Sequence, residues 1–330
     1  MANIPGIPTT ILVAPDSFKG TMTAAEVAEA IGRGLEAAGR SVDLCPVADG
    51  GEGTLVALLD VVGAELRETS APDPLGRPIA AAFALGDGVA IVETAAASGL
   101  GLVDPSERDP LEASTFGTGQ LIMAAIEAGA ELVYLGVGGS ATTDGGAGAI
   151  RAIRAAGGLR GARITVLTDV RTTFEHAARV FGPQKGAGPG DVARLTKRLN
   201  DQARRFKRDP RGVPMTGAAG GLSGGLWAEF GAELVPGAQF VLDAVDFDRR
   251  MRAARAVVTG EGKLDQQSLA GKVVSEVSTR ARQAGVPCHA IVGTRELDSF
   301  GARVLDLQAV LEASTPRQIS AAARRLAEVL

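Results

Sequence analysis

The sequence predicts an α/β protein of two domains, one of them interrupted by the other. Three observations carry that expectation. Within the first sixty residues the chain spells strand–loop–helix twice, with a polar, glycine-bearing loop at the end of each strand. From Glu65 the pattern changes to short strands of alternating or mixed character joined by turns. Beyond residue 254 the βα rhythm returns, and these last pieces can complete the first sheet, which makes the middle of the chain an insertion. The expected boundaries are 1–68 plus 254–330 for the discontinuous domain and 69–253 for the inserted one.

Taken in order, residues 10–14 read as a short buried strand that Pro15 breaks. Asp16-Ser17-Phe18-Lys19-Gly20 is then a loop, and Thr23 with Glu26 forms a capping box. A helix over 24–38 keeps Val27, Ile31 and Leu35 on one face and stops at Gly39. A strand at 42–47 leads into Ala48-Asp49-Gly50-Gly51-Glu52-Gly53-Thr54 and a helix through Leu55, Leu58 and Leu59. Strands at 65–70, 79–85 and 89–93 follow, with the turn Asp73-Pro74-Leu75-Gly76-Arg77-Pro78 between the first two. A helix from about 118 to 129 precedes an apolar strand at 131–137 and the loop 137–148. A helix at 149–156, a strand at 164–168, a loop at 181–188 and a basic amphipathic helix at 191–208 come next. The run 217–225, rich in glycine, reads as a closely packed helix start rather than a linker, because Trp227 and apolar residues accompany it. A strand at 256–259, a helix at 270–284, strands at 288–292 and 304–307, and a helix at 316–330 close the chain.

Composition narrows the function. Hydrophobic residues make up 45% and charged residues 22%, with a net charge of −4, so no basic field attracts nucleic acid or an anionic membrane. The basic helix reads as a solvated face. Cys45 and Cys288 each lie in a strand-like run and read as core residues, without a disulfide or zinc framework. His176 and His289 are the only histidines, and neither sits in a triad or metal motif. The N-terminal Met1-Ala2-Asn3-Ile4-Pro5-Gly6 lacks a secretory pattern, and no apolar run reaches membrane-spanning length, so a cytoplasmic protein is expected.

Four loops carry the chemistry. Gly138-Gly139-Ser140-Ala141-Thr142-Thr143-Asp144 joins a strand to a helix, where glycines expose N–H groups and a helix presents its positive end. It suits a phosphate or another compact anion, and it is neither a P-loop nor GxGxxG. The other three, Asp16–Lys19, Asp49–Gly53 and Gly260-Glu261-Gly262-Lys263-Leu264-Asp265, place acids with glycine or lysine just past apolar strands. Carboxylates can hold magnesium or take a hydroxyl proton, and lysines neutralise phosphate oxygens. With Lys185 these loops supply the parts that phosphoryl transfer needs.

Several stretches together resemble the glycerate kinase type I family. They are Pro15–Gly20, Pro46–Thr54, Asp73–Pro78, Gly138–Thr142, Phe181–Gly186, Gly217–Gly221 and Thr259–Asp265, and they occur in the family's order. The resemblance implies an ATP- and magnesium-dependent kinase that converts D-glycerate to phosphoglycerate, most often 2-phosphoglycerate. It also implies a discontinuous Rossmann-like three-layer domain, an inserted flavodoxin-like domain, and a site in the cleft between them. On this reading Asp16, Lys19, Asp49, Lys185 and Asp265 are catalytic candidates, and Ser17 and Arg77 hold the glycerate carboxylate. Gly138, Gly139, Ser140, Thr142 and Lys263 bind the nucleotide, and Asp49 with Glu52 is the candidate magnesium pair. Among Asp16, Asp49, Glu52 and Asp265, magnesium coordination and proton acceptance stay undivided. Glycerate and nucleotide are the expected partners, and the chain is expected to be a monomer or homodimer.

The sequence departs from the family's pattern at Thr143, where Asn is usual, and at Thr172-Thr173-Phe174 after Arg171, where Asn-Pro-Leu is usual. The segment 156–164 is also short. These changes bear on nucleotide affinity and acceptor preference. A kinase of another small hydroxy acid, or a silent sensor of glycerate or nucleotide, are the alternative readings.

Overall fold

The structure is a computed structural model that describes residues 9–269 and 271–330. The N-terminal stretch 1–6 and the expected helix start at Ala270 lie outside the described residues. The strands are β1 (Thr10–Pro15), β2 (Ser41–Leu44), β3 (Glu65–Pro72), β4 (Pro78–Gly86), β5 (Val89–Glu93), β6 (Leu132–Gly136) and β7 (Arg163–Leu167). They continue with β8 (Glu233–Val235), β9 (Ala256–Gly260), β10 (Lys263–Leu264), β11 (Cys288–Val292), β12 (Thr294–Arg295) and β13 (Leu307–Glu312). Two compact units result, Met1–Asp49 with Ala238–Leu330, and Gly50–Gly237. The chain therefore leaves the first unit just after β2 and rejoins it before β9, whereas composition had placed the changes near 68 and 254.

In the discontinuous unit five strands form a parallel sheet in the order β13-β11-β9-β1-β2. The strands β9 and β11 are buried along their whole length, which is why they read as unbroken apolar runs. One layer packs Val27, Ile31 and Leu35 of the helix Ala24–Glu36 with Ile319, Ala323 and Leu326 of the helix Pro316–Leu326, against Ile11, Val258 and Ile291. The other layer sets Val274, Leu297 and Leu305 against Ala290 and Val292. Successive residues of β11 thus serve opposite layers, as the period of a strand requires. Thr23 caps the first helix, its side chain accepting from Glu26 N while the Glu26 carboxylate accepts from Thr23 N.

The inserted unit holds a mixed sheet in the order β3-β4-β5-β6-β7-β8, antiparallel through β5 and parallel from β5 to β8. Numbering the five strands of the discontinuous sheet along the chain gives 2-1-3-4-5, the flavodoxin-type order. The resemblance had attached that label to the inserted unit. The insertion differs because β3 and β4 are joined by the tight turn at Asp73–Arg77, and a short turn permits only antiparallel neighbours.

Local departures have local causes. The expected strand at 304–307 is instead the end of a helix, Ser299–Val304, followed by β13. Asp298 caps that helix by accepting from Gly301 N, and Asp306, at φ 55°, turns the chain into the strand. The basic helix runs Pro189–Ala203, stopping before Arg204. The glycine-rich run 217–225 is packed as expected, though its helix, Ala218–Phe230, is broken by left-handed residues 219–221. A Cβ on Gly220 would sit 2.0 Å from Thr142 O, so the kink lies directly on the loop that follows β6. Cys45 and Cys288 are buried free thiols. Among the described residues, no helix is long and apolar enough to cross a membrane.

Candidate active site

In a doubly wound sheet, ligands bind beyond the carboxyl ends of the strands where the chain order reverses. Here that point lies between β1 and β9. The loop after β1 carries Asp16, Ser17 and Lys19, and the loop after β9 carries Glu261, Lys263 and Asp265. These residues line one cavity of about 410 Å³ together with Asp49 and Lys272. The two loops touch at Gly262, where a Cβ would stand 3.2 Å from Phe18 Cα and 3.3 Å from Lys19 N. The β9 loop is fixed from its other side by Gly293 N donating to Glu261 O and Thr294 N to Gly262 O.

The cavity gathers more negative charge than it neutralises. Asp16 is 4% exposed, and burial, then the Asp49 carboxylate, push its carboxyl well above the ordinary range. Lys19 Nζ donates to Asp49 Oδ2 at 2.8 Å, and that carboxylate in turn holds the ammonium above its usual value. Glu261 is 7% exposed, and burial pushes it up to about 7. Ser17 Oγ and Glu261 Oε1 are buried with no hydrogen-bond partner. Buried polar atoms of this kind are costly, and they mark places where a ligand or a proton completes the bonding.

The loop after β6 belongs to the inserted unit. Lys185, 2% exposed, donates from Nζ to Ser140 Oγ at 2.9 Å and to Thr142 O at 2.5 Å. Burial lowers its ammonium to about 7. Gly139 has φ +69°, and a Cβ on Gly138 would meet Gly51 Cα at 2.5 Å, so both glycines are required by the backbone path. The expected free helix end is not free. Asp144 accepts from Gly146 N and Gly148 N at the start of the helix Ala147–Ala155, as well as from Thr115 N and Oγ1. A carboxylate of the chain itself therefore occupies the place at the helix N-terminus that an anion was expected to take.

A family model described as the glycerate kinase family matches residues 11–157 and 153–330. The chain belongs to the glycerate kinase family. It is 40% identical to a glycerate kinase of Bacillus subtilis (strain 168), covering 88% of this chain and 86% of that one. It is 37% identical to a glycerate 2-kinase of Escherichia coli (strain K12), covering 86% and 85% respectively. The crystal structure of a candidate glycerate kinase 2 from Salmonella typhimurium LT2 matches with a TM-score of 0.80 and 32% identity, covering 98% of each chain. Membership makes this chain a kinase.

Within this glycerate kinase family chain, the residues singled out from sequence fall into three places. Asp16, Ser17, Lys19, Asp49, Lys263 and Asp265 line the cavity of the discontinuous unit, although Lys263 is exposed and paired with Glu296 at 2.8 Å. Gly138, Gly139, Ser140, Thr142 and Lys185 form the loop of the inserted unit. Arg77 stands elsewhere in that unit, its Nε on Asp73 Oδ2 at 2.6 Å and its Nη1 on Glu107 Oε2 at 2.9 Å. Its Nη2 donates to Leu102 O at 3.3 Å, so all three of its nitrogens are already engaged. Glu52 is exposed, and the helix Thr54–Leu59 is capped by Glu93, which accepts from Gly53 N and Leu55 N. The Asp265 carboxylate is engaged by Gln267 N at 2.8 Å. Sequence reasoning placed Glu261 in one of the chemistry-bearing loops without giving it a role, and passed over Lys272. The signal for Glu261 was its place directly after an unbroken apolar strand, ahead of a glycine.

Proposed function

We propose that the protein transfers the γ-phosphoryl group of ATP to a hydroxyl of D-glycerate and releases 2-phosphoglycerate. The observation that carries this reading is the cavity at the β1–β9 switch point, where Asp16, Lys19, Asp49 and Glu261 converge with the unpartnered Ser17 hydroxyl. Transfer between two anions is slow chiefly because like charges must meet. Lys19 supplies positive charge at the place where phosphate oxygens accumulate negative charge. Ser17 Oγ is the donor for the glycerate carboxylate. In the inserted unit, the Gly138–Thr142 loop and Lys185 are the groups for the nucleotide phosphates. The reading also takes the 2-phospho product from the name of the Escherichia coli relative.

Magnesium fits the donors at this cavity. Asp16 and Asp49 offer only oxygen ligands, and the Asp49 carboxylate raises the cost of ionising Asp16, a conflict that a hard cation relieves. Among the described residues no cluster of three or more candidate ligands is assembled, so nucleotide phosphates would complete the coordination. Bound there, magnesium neutralises phosphate oxygens. Glu52 contributes less on this reading, because its side chain is exposed.

The test is ADP release with purified protein, ATP and magnesium across D-glycerate and other small hydroxy acids, with ³¹P NMR of the product. Turnover with D-glycerate and a secondary phosphate ester is expected. Preference for another hydroxy acid would move the substrate assignment, and binding without turnover would replace the kinase by a sensor.

A further inference from the structure

We propose that Glu261 is the base that takes the proton from the attacking hydroxyl of the acceptor. The inference rests on the phosphoryl-transfer reading above and assigns a role that the sequence had offered to Asp16, Asp49, Glu52 and Asp265, of which Glu52 does not line the cavity and leaves three. Each of those three is engaged in a different way. Asp16 Oδ1 accepts from Ser17 N at 2.6 Å, Asp49 is paired with Lys19, and Asp265 accepts from Gln267 N. Glu261 also takes a side-chain hydrogen bond from Ser268, but among the described carboxylates of the cavity it alone keeps a buried oxygen, Oε1, with no donor bonded to it.

Its position is fixed by backbone on both sides. Gly260 O accepts from Asp16 N at 2.8 Å, which ties the end of β9 to the end of β1, and Glu261 O accepts from Gly293 N at 3.1 Å. A base held on rigid strands, not on a mobile tip, keeps its oxygen where the hydroxyl arrives. The charged groups around the carboxyl are Lys272, Asp265, Lys19 and Asp16. Burial dominates over them and keeps the group near 7, so at neutral pH a large share is ionised and its affinity for a proton is high.

The step balances without a further reagent. A lone pair of the hydroxyl oxygen forms the new bond to the γ-phosphorus. The bond from that phosphorus to the bridging oxygen breaks, and its electron pair stays on ADP. The hydroxyl proton passes to Glu261 Oε1 and leaves to water after product release.

Glu261→Gln keeps the shape and removes the basicity. In the full-length protein we expect kcat to fall by about 10²-fold or more. KM for glycerate and for ATP, and the magnesium concentration at half-activity, should stay within about threefold, with an unchanged melting temperature. Glu261→Asp, which retains a carboxylate, should keep at least about tenfold more activity than the glutamine variant. A kcat for Glu261→Gln within about threefold of the wild type overturns the assignment. So does recovery of its kcat at high magnesium, which would make the residue a cation ligand, or an equal loss in both variants, which would make it structural. If wild-type protein turns over D-glycerate while the variants behave in one of these ways, only this inference fails. A wild type that transfers phosphate to no hydroxy acid removes the parent reading and this inference with it.

Discussion

Replacing Lys185 by methionine should make the stability of the protein respond differently to pH, and the size of the response follows from its burial. The side chain is 2% exposed, and its ammonium faces Ser140 Oγ and Thr142 O with no carboxylate bonded to it. Burial outweighs the opposing charge of Asp144 and brings the group from 10.5 down to about 7. Below pH 7 both folded and unfolded chains carry the proton, and the wild type bears the whole cost of a buried charge. Between about 7 and 10.5 the unfolded chain holds a proton that the folded chain has released. Stability then rises with pH, by about 1.4 kcal/mol for each pH unit. Lys185→Met lacks this term, so the wild type should gain about 3 kcal/mol on the variant between pH 7 and pH 9.5. Urea unfolding of both proteins across that range measures the difference. A difference that does not change with pH would show that Lys185 keeps an ordinary ammonium, and the account of its burial would fall.

Three further outcomes follow from geometry already given. Lys19→Ala removes a lysine bonded to Asp49 in the cavity and should cut kcat/KM by about 10²-fold, since a preorganised charge at a phosphoryl site is worth about 3 kcal/mol. Its side chain is 55% exposed, so the melting temperature should barely move, and near-wild-type kcat/KM would remove Lys19 from the site. Gly139→Val places a branched side chain at φ +69° and should weaken the thermal shift induced by Mg-ATP; an undiminished shift would separate this loop from the nucleotide. Arg280 is 11% exposed and bonds Asp243 at 2.6 Å, Glu276 at 2.9 Å and Asp248 at 3.3 Å. Asp243 and Asp248 keep 61% and 43% exposure, so Arg280→Ala should cost only about 1 kcal/mol in urea unfolding, and a loss above about 3 kcal/mol would show the network to act as a buried one.

The parts of the fold that depend on local physics were legible in the sequence. The capping box at Thr23, the apolar strands and the glycine-bearing loops at their carboxyl ends all read directly, and Asp16, Lys19 and Asp49 were found because they stand in such loops. What could not be read depends on partners distant in the chain. Nothing local says that β1 pairs with β2 on one side and β9 on the other, and that pairing makes the switch point. Asp144 looked like part of an anion site until the donors of Thr115, Gly146 and Gly148 claimed it. Arg77 looked free for a substrate because Glu107 lies thirty residues on. Glu261 stood in a loop read as chemical but drew no role, for the opposite reason: its distinction is a missing partner at Oε1, and a sequence does not display what a side chain fails to touch.

The division of the discontinuous unit also sets an order of events during synthesis. Its first strand, β1, emerges from the ribosome early, but its neighbour β9, the central strand, follows only after residues 50–237 have been made. At ordinary elongation rates that interval is roughly 10–40 s. For all of it, β1 has β2 and one helix to shelter it, and its other edge is unpaired. The inserted unit is contiguous and meets no such delay, so it can fold while the first strands wait. Nascent chains arrested before residue 256 should accordingly carry a protease-resistant 50–237 core and a sensitive N-terminal segment. The chemistry at the ends of β1 and β9 thus comes into being only when the stretch from residue 256 onward arrives.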